Sequence, residues 1–484
     1  MKCLVIGLDC AAPQLVFEQW REELPTLRGL MEHGAYGRLE STHPPITVPA
    51  WASMMSSRDP GELGIYGFRN RKDHSYDGYV IANGAALRYD RVWDVLGRDG
   101  KQVILLGVPQ TYPPKPINGC MVTDFLTPST QSEYTYPSEL KQEVERVSDG
   151  YVLDVEDFRT PDKGALLKRV YAKTEKHFRV AKHFIRTKPW DFFMLVELGV
   201  DRIHHGFWSY MDPTHPKYEA GNPFEHAIRD YYRYVDREVA ELIDLAPNDT
   251  AVMVVSDHGA KKMDGGICFN EWLIEQGFLS VVSYPEQPTP IDKVAIEWSK
   301  TTAWGDGGYY GRLFLNVRGR EPQGTVAPED YERVRQDLSD RIAALTDPQG
   351  RNLGSRAYRP QELYRTVNGV PPDLIVYFGD LHWRSVGSVG LGSLYTFDND
   401  TGPDEANHDW HGIFILNELG CRQGHVEPGY KEGLRLYDVG PTVLNLFGMP
   451  PDPEAVGRSL TAYQSSLGSR LHRWWRGNAG RLSS

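Results

Sequence analysis

Four short stretches, far apart in the chain, carry side chains of the kind that hold metal ions. GLD ends on Asp9, and ELGVDRIHHGFW holds Asp201 and His205 four residues apart. VVSDHG sets Asp257 beside His258, and EANHDWHGIF offers His408 and His411. Each stretch is weak alone, because an aspartate after a strand is often a helix N-cap and DxxxH pairs arise by chance. If residues 201–205 are helical, Asp201 and His205 share one face and can grip one ion. The donors are all carboxylates and imidazoles, without a thiolate. That set suits zinc or manganese in an open catalytic site better than a closed structural one. His204, beside His205, is assigned no role.

A fifth stretch, HPPITVPAW at 43–51, sets Thr47 between Pro45 and Pro49 and runs on into the helix-like AWASMMSS. One reading makes Thr47 an ordinary N-cap in a proline-bracketed turn. The other makes it a nucleophile. A threonine hydroxyl reacts at neutral pH only if its pKa is lowered, which a metal ion does by direct coordination. A helix start also offers backbone N–H groups and a positive dipole end, which suit a phosphate. Two metals roughly 4 Å apart can hold the attacking and leaving oxygens of an in-line displacement.

These residues need a scaffold that gathers them. Six apolar runs recur along the chain: CLVIGLD, QVILLGV, DFFMLVEL, TAVMVVSD, PDLIVYF and GIFIL. Helix-like segments separate them, among them RYDRVWDVLGRDG, KGALLKRVYAKTEKHFRVAKHFI and EHAIRDYYRYVDREVAELIDL. Continuous apolar strands alternating with helices predict an α/β fold, a mainly parallel sheet covered on both faces. Ligands in such folds sit beyond the carboxyl ends of the strands. Asp9 and Asp257–His258 close two predicted strands and Asp201 follows a third, so the polar groups collect at one edge.

Residues 286–365 read differently, with a glycine-rich WGDGGYYGRLFLNVRGREPQG and a helix-like YERVRQDLSDRIAAL. They are expected to form a smaller α+β insertion that returns to the sheet at PDLIVYF. It either caps the cleft or simply extends the fold. Tyr309, Tyr310 and Arg312 are its candidate substrate contacts. Residues 1–285 and 366–461 make the core, and 462–484 form a basic tail with two tryptophans, read as a solvated tail rather than a membrane contact.

Composition narrows the function. The chain has 484 residues and a net charge of −12, which argues against a general nucleic-acid-binding surface. Five scattered cysteines without CxxC spacing suggest neither a disulfide framework nor a cysteine zinc site. No signal peptide or transmembrane segment is read, so the expected location is cytoplasmic. Oligomeric state is not legible in the sequence.

Taken together, the pattern resembles the alkaline phosphatase superfamily, in its type I phosphodiesterase/nucleotide pyrophosphatase branch. The similarity includes GLD, PPITVPAWASM, RVWDVLGRDGKQVILLGVPQTYPP, VDRIHHGFW, SDHG, NEWLIEQGFL, NVRGREPQG, PDLIV and NHDWHGIF. The resemblance implies an alkaline-phosphatase-like fold and two divalent ions, Zn²⁺ ahead of Mn²⁺. Asp9, Thr47, Asp257 and His258 would surround one ion, and Asp201, His205 and His408 the other. His408 is preferred to His411 because it stands four residues before Gly412.

One departure concerns the HGIxxN that relatives carry after the nucleophile, whose Asn helps bind a phosphate oxygen. Here LGIYGF puts Leu63 at the His position and Phe68 at the Asn position. Arg69, Asn70 or the amides of the Thr47 turn are the candidates to replace it.

The implied activity is metal-dependent hydrolysis of a phosphoric ester, foremost as a phosphodiesterase/nucleotide pyrophosphatase. It would use a metal-bound threonine and a phospho-threonine intermediate on a small phosphate ester or nucleotide. A phosphomonoesterase on the same scaffold and a non-catalytic metal- or nucleotide-binding homologue are the alternatives. A sulfatase is disfavoured because T-V-P-A-W replaces C/S-x-P-x-R, and the metal-dependent phosphoglycerate mutases use serine.

Overall fold

A computed structural model describes residues 1–420, 425–450 and 452–461. The 462–484 tail and Cys421 lie outside the described residues. A ten-stranded sheet forms the centre. Its middle is parallel: Thr250–Val255, Lys2–Leu8, Phe192–Glu197, Val103–Leu106 and Gly119–Val122 lie side by side in that order. His411–Glu418 runs antiparallel between Thr250–Val255 and Ala35–Glu40. This is the mostly parallel α/β sheet that the apolar runs imply, in the alkaline-phosphatase-like form that the resemblance implies.

Side chains alternate across the sheet, and both faces are apolar. Leu4, Ile6 and Leu8 face one core with Phe178, Phe184, Ile203, Phe207 and Tyr231. Helices Lys163–Thr187, Gly199–Met211 and Ala227–Ile243 supply that layer. Cys3 and Val5 face the other core, with Trp51, Met54, Trp93 and Val443 from helices Thr47–Ser56, Val92–Arg98 and Val439–Leu446. Two-sided burial explains why these strands read as continuous apolar runs rather than alternating ones.

One expectation fails. PDLIVYF does not return to the central sheet. Leu374–Tyr377 pairs instead with Gly311–Leu315 and Arg356–Tyr358 in a four-stranded antiparallel sheet that also holds Ala303–Asp306. All four of its residues are buried, as in a central strand, so the apolar run marks a buried strand without naming its sheet. A three-stranded sheet of Trp383–Val386, Gly265–Cys268 and Tyr395–Thr396 lies beside it in the chain's second half. The smaller sheets therefore draw strands from both sides of 286–365. Helix Tyr331–Ala343 shares their core through Leu338 and Ile342. Among the described residues no helix is long and apolar enough to cross a membrane.

Candidate active site

The three adjacent parallel strands deliver three aspartates to one edge. Asp9 follows Lys2–Leu8, Asp257 follows Thr250–Val255, and Asp201 sits in the first turn of the helix after Phe192–Glu197. That segment is helical through Met211, so Asp201 and His205 share a face, with Asp201 Oδ1 3.2 Å from His205 Nε2. His408 arrives on the short strand Ala406–Asp409, held by antiparallel pairing to Gly259–Lys262 just after His258. His258 and His408 stack at 3.8 Å between ring centroids. His411 stands apart, paired in register with Glu40 on the central sheet.

Each aspartate has one oxygen held by the protein and one left free. Trp51 Nε1 donates to Asp9 Oδ2 at 2.7 Å, Cys10 N to Asp257 Oδ1 at 3.2 Å, and Arg202 to Asp201 Oδ2. Asp9 Oδ1, Asp257 Oδ2 and Asp201 Oδ1 are buried with no hydrogen-bond partner, as is His205 Nε2. The imidazoles repeat the pattern. Their Nδ1–H groups donate outward, His205 to Asp404 Oδ1 at 2.7 Å, His258 to Gly259 O at 3.1 Å and His408 to Pro45 O at 2.8 Å. That leaves the Nε2 lone pairs facing inward, the tautomer a metal ligand needs.

Donor atoms of Asp201, His205 and His408 lie within 4.8 Å of one another, as do those of Asp9, Asp201 and His258. Buried carboxylate oxygens without partners are expensive unless a cation meets them. The residues fit divalent ions.

Electrostatics agree. Burial and the nearby Asp201 push the Asp9 carboxyl well above its ordinary range, and burial and Asp9 do the same to Asp257. For Asp201, burial pushes upward, but His205 and Arg202 outweigh it and hold the carboxyl well below its ordinary value. Burial lowers His258 to about 4 and drives His408 far down. Burial acts the same way on His205, yet Asp404 and Asp201 prevail and raise it to about 9.

Thr47 is the first helical residue of Thr47–Ser56. Ile46 holds the cap position, and no side chain caps the helix. The hydroxyl is therefore not spent on capping. It lies 3.3 Å from His258 Nε2, beside the two ligand groups. Pro49 sits in the first turn, where its missing N–H costs nothing. One turn further, Trp51 reaches back to Asp9. Gly7 makes this possible, since a Cβ there would lie 2.6 Å from the Trp51 ring.

Thr47, Asp201 and His408 open onto a cavity of about 580 Å³. Tyr309, Tyr310, Arg312 and Arg69 line it. Tyr309 stacks on His408 at 4.2 Å and on His205 at 4.8 Å, and its hydroxyl donates to Asp404 Oδ2 at 3.1 Å. Tyr310 and Arg312 are largely committed to the fold, Tyr310 donating to Tyr66 O and Arg312 pairing with Asp306 at 2.7 Å. Asn70 is a correction. Its Oδ1 accepts from Tyr66 N at 2.7 Å and its Nδ2 donates to Gly67 O at 3.0 Å, so both ends of the amide brace the turn. Phe68 lines the cavity and packs edge-on to Phe125 at 6.0 Å.

Sequence reading missed Asp404, Trp51, Arg202 and Arg159, which donates to Asp404 Oδ2 at 2.9 Å. Asp404 lies four residues before His408, just ahead of EANHDWHGIF, and Trp51 one turn after Thr47, so local spacing held a trace of both. Nothing local marks Arg159.

The family model for type I phosphodiesterase/nucleotide pyrophosphatase matches residues 3–411. The chain belongs to that family. Its members are metal-dependent phosphodiester and pyrophosphate hydrolases, and the two candidate ligand groups of this phosphodiesterase family chain accord with that. Solved structures share the fold. Human ectonucleotide pyrophosphatase/phosphodiesterase 5 aligns at 12% identity and TM-score 0.56, over 94% of this chain and 96% of that one. An inactive murine form of the same protein in complex with AMP aligns at 11% identity and TM-score 0.53, with the same coverage. Phosphonoacetate hydrolase from Sinorhizobium meliloti, in complex with phosphonoacetate, aligns at 17% identity and TM-score 0.57, over 91% and 94%. Among curated protein sequences none matches.

Proposed function

We propose that this chain hydrolyses phosphodiester or phosphoanhydride bonds in nucleotide-like substrates, with Thr47 as the nucleophile. Asp9, Thr47, Asp257 and His258 would hold one divalent ion, and Asp201, His205 and His408 a second, with zinc ahead of manganese. The carrying observation is the 3.3 Å approach of the buried Thr47 hydroxyl to His258 Nε2, beside carboxylate oxygens that have no protein partner. When bound, the ions supply the positive charge that acidifies the hydroxyl and stabilises the phosphoryl and leaving oxygens.

His258 would not take the hydroxyl proton, because its Nδ1–H donates to Gly259 O and its Nε2 would be occupied by the ion. Thr47 Oγ1 gives up its proton to solvent and bonds to phosphorus as the opposite P–O bond breaks, and the departing oxygen takes a proton from solvent. The phospho-threonine is then attacked by water at phosphorus. The Oγ1–P bond breaks and the hydroxyl returns. The N–H groups of the helix start receive a nonbridging oxygen, the task relatives give to the Asn that Phe68 replaces. A cavity this large, with Phe68 and Phe125 on its wall, leaves room for an organic group on each side of phosphorus. That favours a diester over a monoester. AMP bound to the murine relative supports a nucleotide-like substrate.

The test compares wild type with Thr47→Ala on bis-p-nitrophenyl phosphate and p-nitrophenyl phosphate, after metal stripping and reloading with Zn²⁺ or Mn²⁺. Thr47-dependent turnover with the diester ahead is expected. A monoester preference would make this chain a phosphomonoesterase. Metal uptake without any turnover would favour a binding protein.

We also assign the chain to the cytoplasm. Cys3, Cys10, Cys120 and Cys268 are buried and unpaired, which fits a reducing compartment. Recovery of the tagged chain in an exported fraction would overturn this.

A further inference from the structure

The cleft is rich in arginine, and most of its guanidinium groups are engaged. Arg202 donates to both oxygens of Asp154 at 3.0 and 2.7 Å. Arg159 donates to Asp404 at 2.9 Å and to the Tyr309 hydroxyl at 2.7 Å. Arg312 is held by Asp306. Arg69 is solvent-exposed, 3.6 Å from Asp292. Arg384, on strand Trp383–Val386, is different.

Arg384 is only 5% exposed and lines the cavity, yet its Nε and Nη1 are buried without a hydrogen-bond partner. Two carboxylates stand near it, both beyond hydrogen-bond reach: Asp400 Oδ1 lies 3.6 Å from Nη2 and Asp404 Oδ2 lies 4.0 Å from Nη1. Asp404 is already occupied by His205, Arg159 and Tyr309. Asp400 accepts from Ser388 through Oδ2, while its Oδ1 is also buried without a hydrogen-bond partner. These acids balance the charge of Arg384 but leave its donors unused. A buried guanidinium in that state pays for desolvation without recovering it, and a planar or tetrahedral anion would make up the deficit.

Gly307, Gly387 and Ser388 line the cavity together with Arg384. A Cβ at Gly307 would lie 2.3 Å from Gly387 N, and one at Gly387 would lie 2.7 Å from Gly307 N, so these glycines let the two segments pack backbone to backbone. The cavity itself, about 580 Å³, supplies the room for an anion. Arg384 Cζ lies 6.0 Å from the Tyr309 ring centroid, and the same ring stacks on His408 at 4.2 Å and on His205 at 4.8 Å. Arg384 thus stands one aromatic ring away from the candidate metal ligands.

We propose that Arg384 binds a second anionic group of the substrate, a carboxylate or a phosphate, about one ring's width from the reacting phosphorus. The enzyme then selects esters that carry this extra charge. The inference rests on the hydrolase reading above and adds a specificity-determining residue to it.

The probes are benzylphosphonate, 4-carboxybenzylphosphonate and p-xylylenediphosphonate, titrated calorimetrically into zinc-loaded protein. Wild type should bind at least one doubly anionic probe about tenfold or more tightly than benzylphosphonate, the scale of a charge-assisted hydrogen-bond pair. The probe with the larger gain identifies the anion. Arg384→Met should lose the preference while keeping its affinity for benzylphosphonate, which also shows that the variant is folded. Arg384→Lys should restore part of the preference.

Equal binding of all probes by wild type, or an undiminished preference in Arg384→Met, would overturn the inference. Thr47-dependent hydrolysis without a second-anion preference defeats this inference alone. If benzylphosphonate fails to bind and no ester is hydrolysed, the hydrolase reading falls with it.

Discussion

Replacing Asp404 with asparagine removes one negative charge at nearly constant shape, from a residue that holds a candidate ligand in place. Asp404 Oδ1 accepts from His205 Nδ1 at 2.7 Å, and Oδ2 accepts from Arg159 Nε at 2.9 Å and the Tyr309 hydroxyl at 3.1 Å. The contact with His205 fixes the ring so that Nε2 points at Asp201, and it makes that nitrogen a stronger donor. Loss of such a partner costs about 10- to 100-fold in metal affinity. That range equals about 1.4 to 2.7 kcal/mol.

Two features place Asp404→Asn toward the upper end. The Asp404 side chain is fully buried, and its charge is the leading influence that raises His205 against the cost of burial. The substitution also leaves Arg159 facing a neutral amide. Zinc affinity, read by competition with a chromogenic chelator, measures this without any substrate. Arg159→Gln, which keeps the His205–Asp404 contact, should weaken zinc binding by less than about tenfold. Circular dichroism and a thermal melt would establish that both variants fold. If folded Asp404→Asn binds zinc as tightly as wild type, the positioning of His205 by Asp404 is wrong.

Two further expectations concern stability. In metal-free protein, burial opposes protonation of His205, but Asp404 and Asp201 raise it from 6.5 to about 9. Its folded value therefore exceeds its unfolded value, so its stabilising contribution is full below pH 6.5 and disappears as pH rises through about 9. The raised Asp9 and Asp257 carboxyls act in the same direction. The Tm of chelator-treated protein should fall across that window, zinc-loaded protein should lose less, and a rising metal-free Tm would refute this. Gly7→Ala drives a methyl into Trp51, with its Cβ 2.6 Å from the ring, and into Val196 at 2.8 Å. It should destabilise the fold by about 1–3 kcal/mol in denaturant titration and weaken zinc binding as Trp51 shifts from Asp9. Unchanged stability would mean that the strand yields more readily than its packing suggests.

Several features of this protein could be read directly from the chain. Lys2–Leu8, Phe192–Glu197 and Thr250–Val255 are legible because strands buried on both faces must be apolar throughout. Asp201 and His205 announce themselves because a helix puts residues four apart on one face, and the segment is helical. Thr47 stands out because prolines flank it at a helix start. These are local signals, set by periodicity and backbone conformation within a few residues.

The rest depended on which distant segments meet. Leu374–Tyr377 has the composition of a central strand but joins the smaller sheet, because burial fixes composition while pairing is chosen by the whole topology. Asn70 has the chemistry to bind phosphate, yet its amide is consumed by its own turn. Asp404 and Arg384 acquire their roles only through His205, Tyr309 and Asp400, which lie far from at least one of them in sequence. The kinds of donor atoms, and the edge of the sheet where they gather, are legible in local stretches of the chain. Which oxygen of each carboxylate is left without a partner is set by packing, because it depends on hydrogen bonds from remote segments such as Trp51 to Asp9 and Cys10 to Asp257.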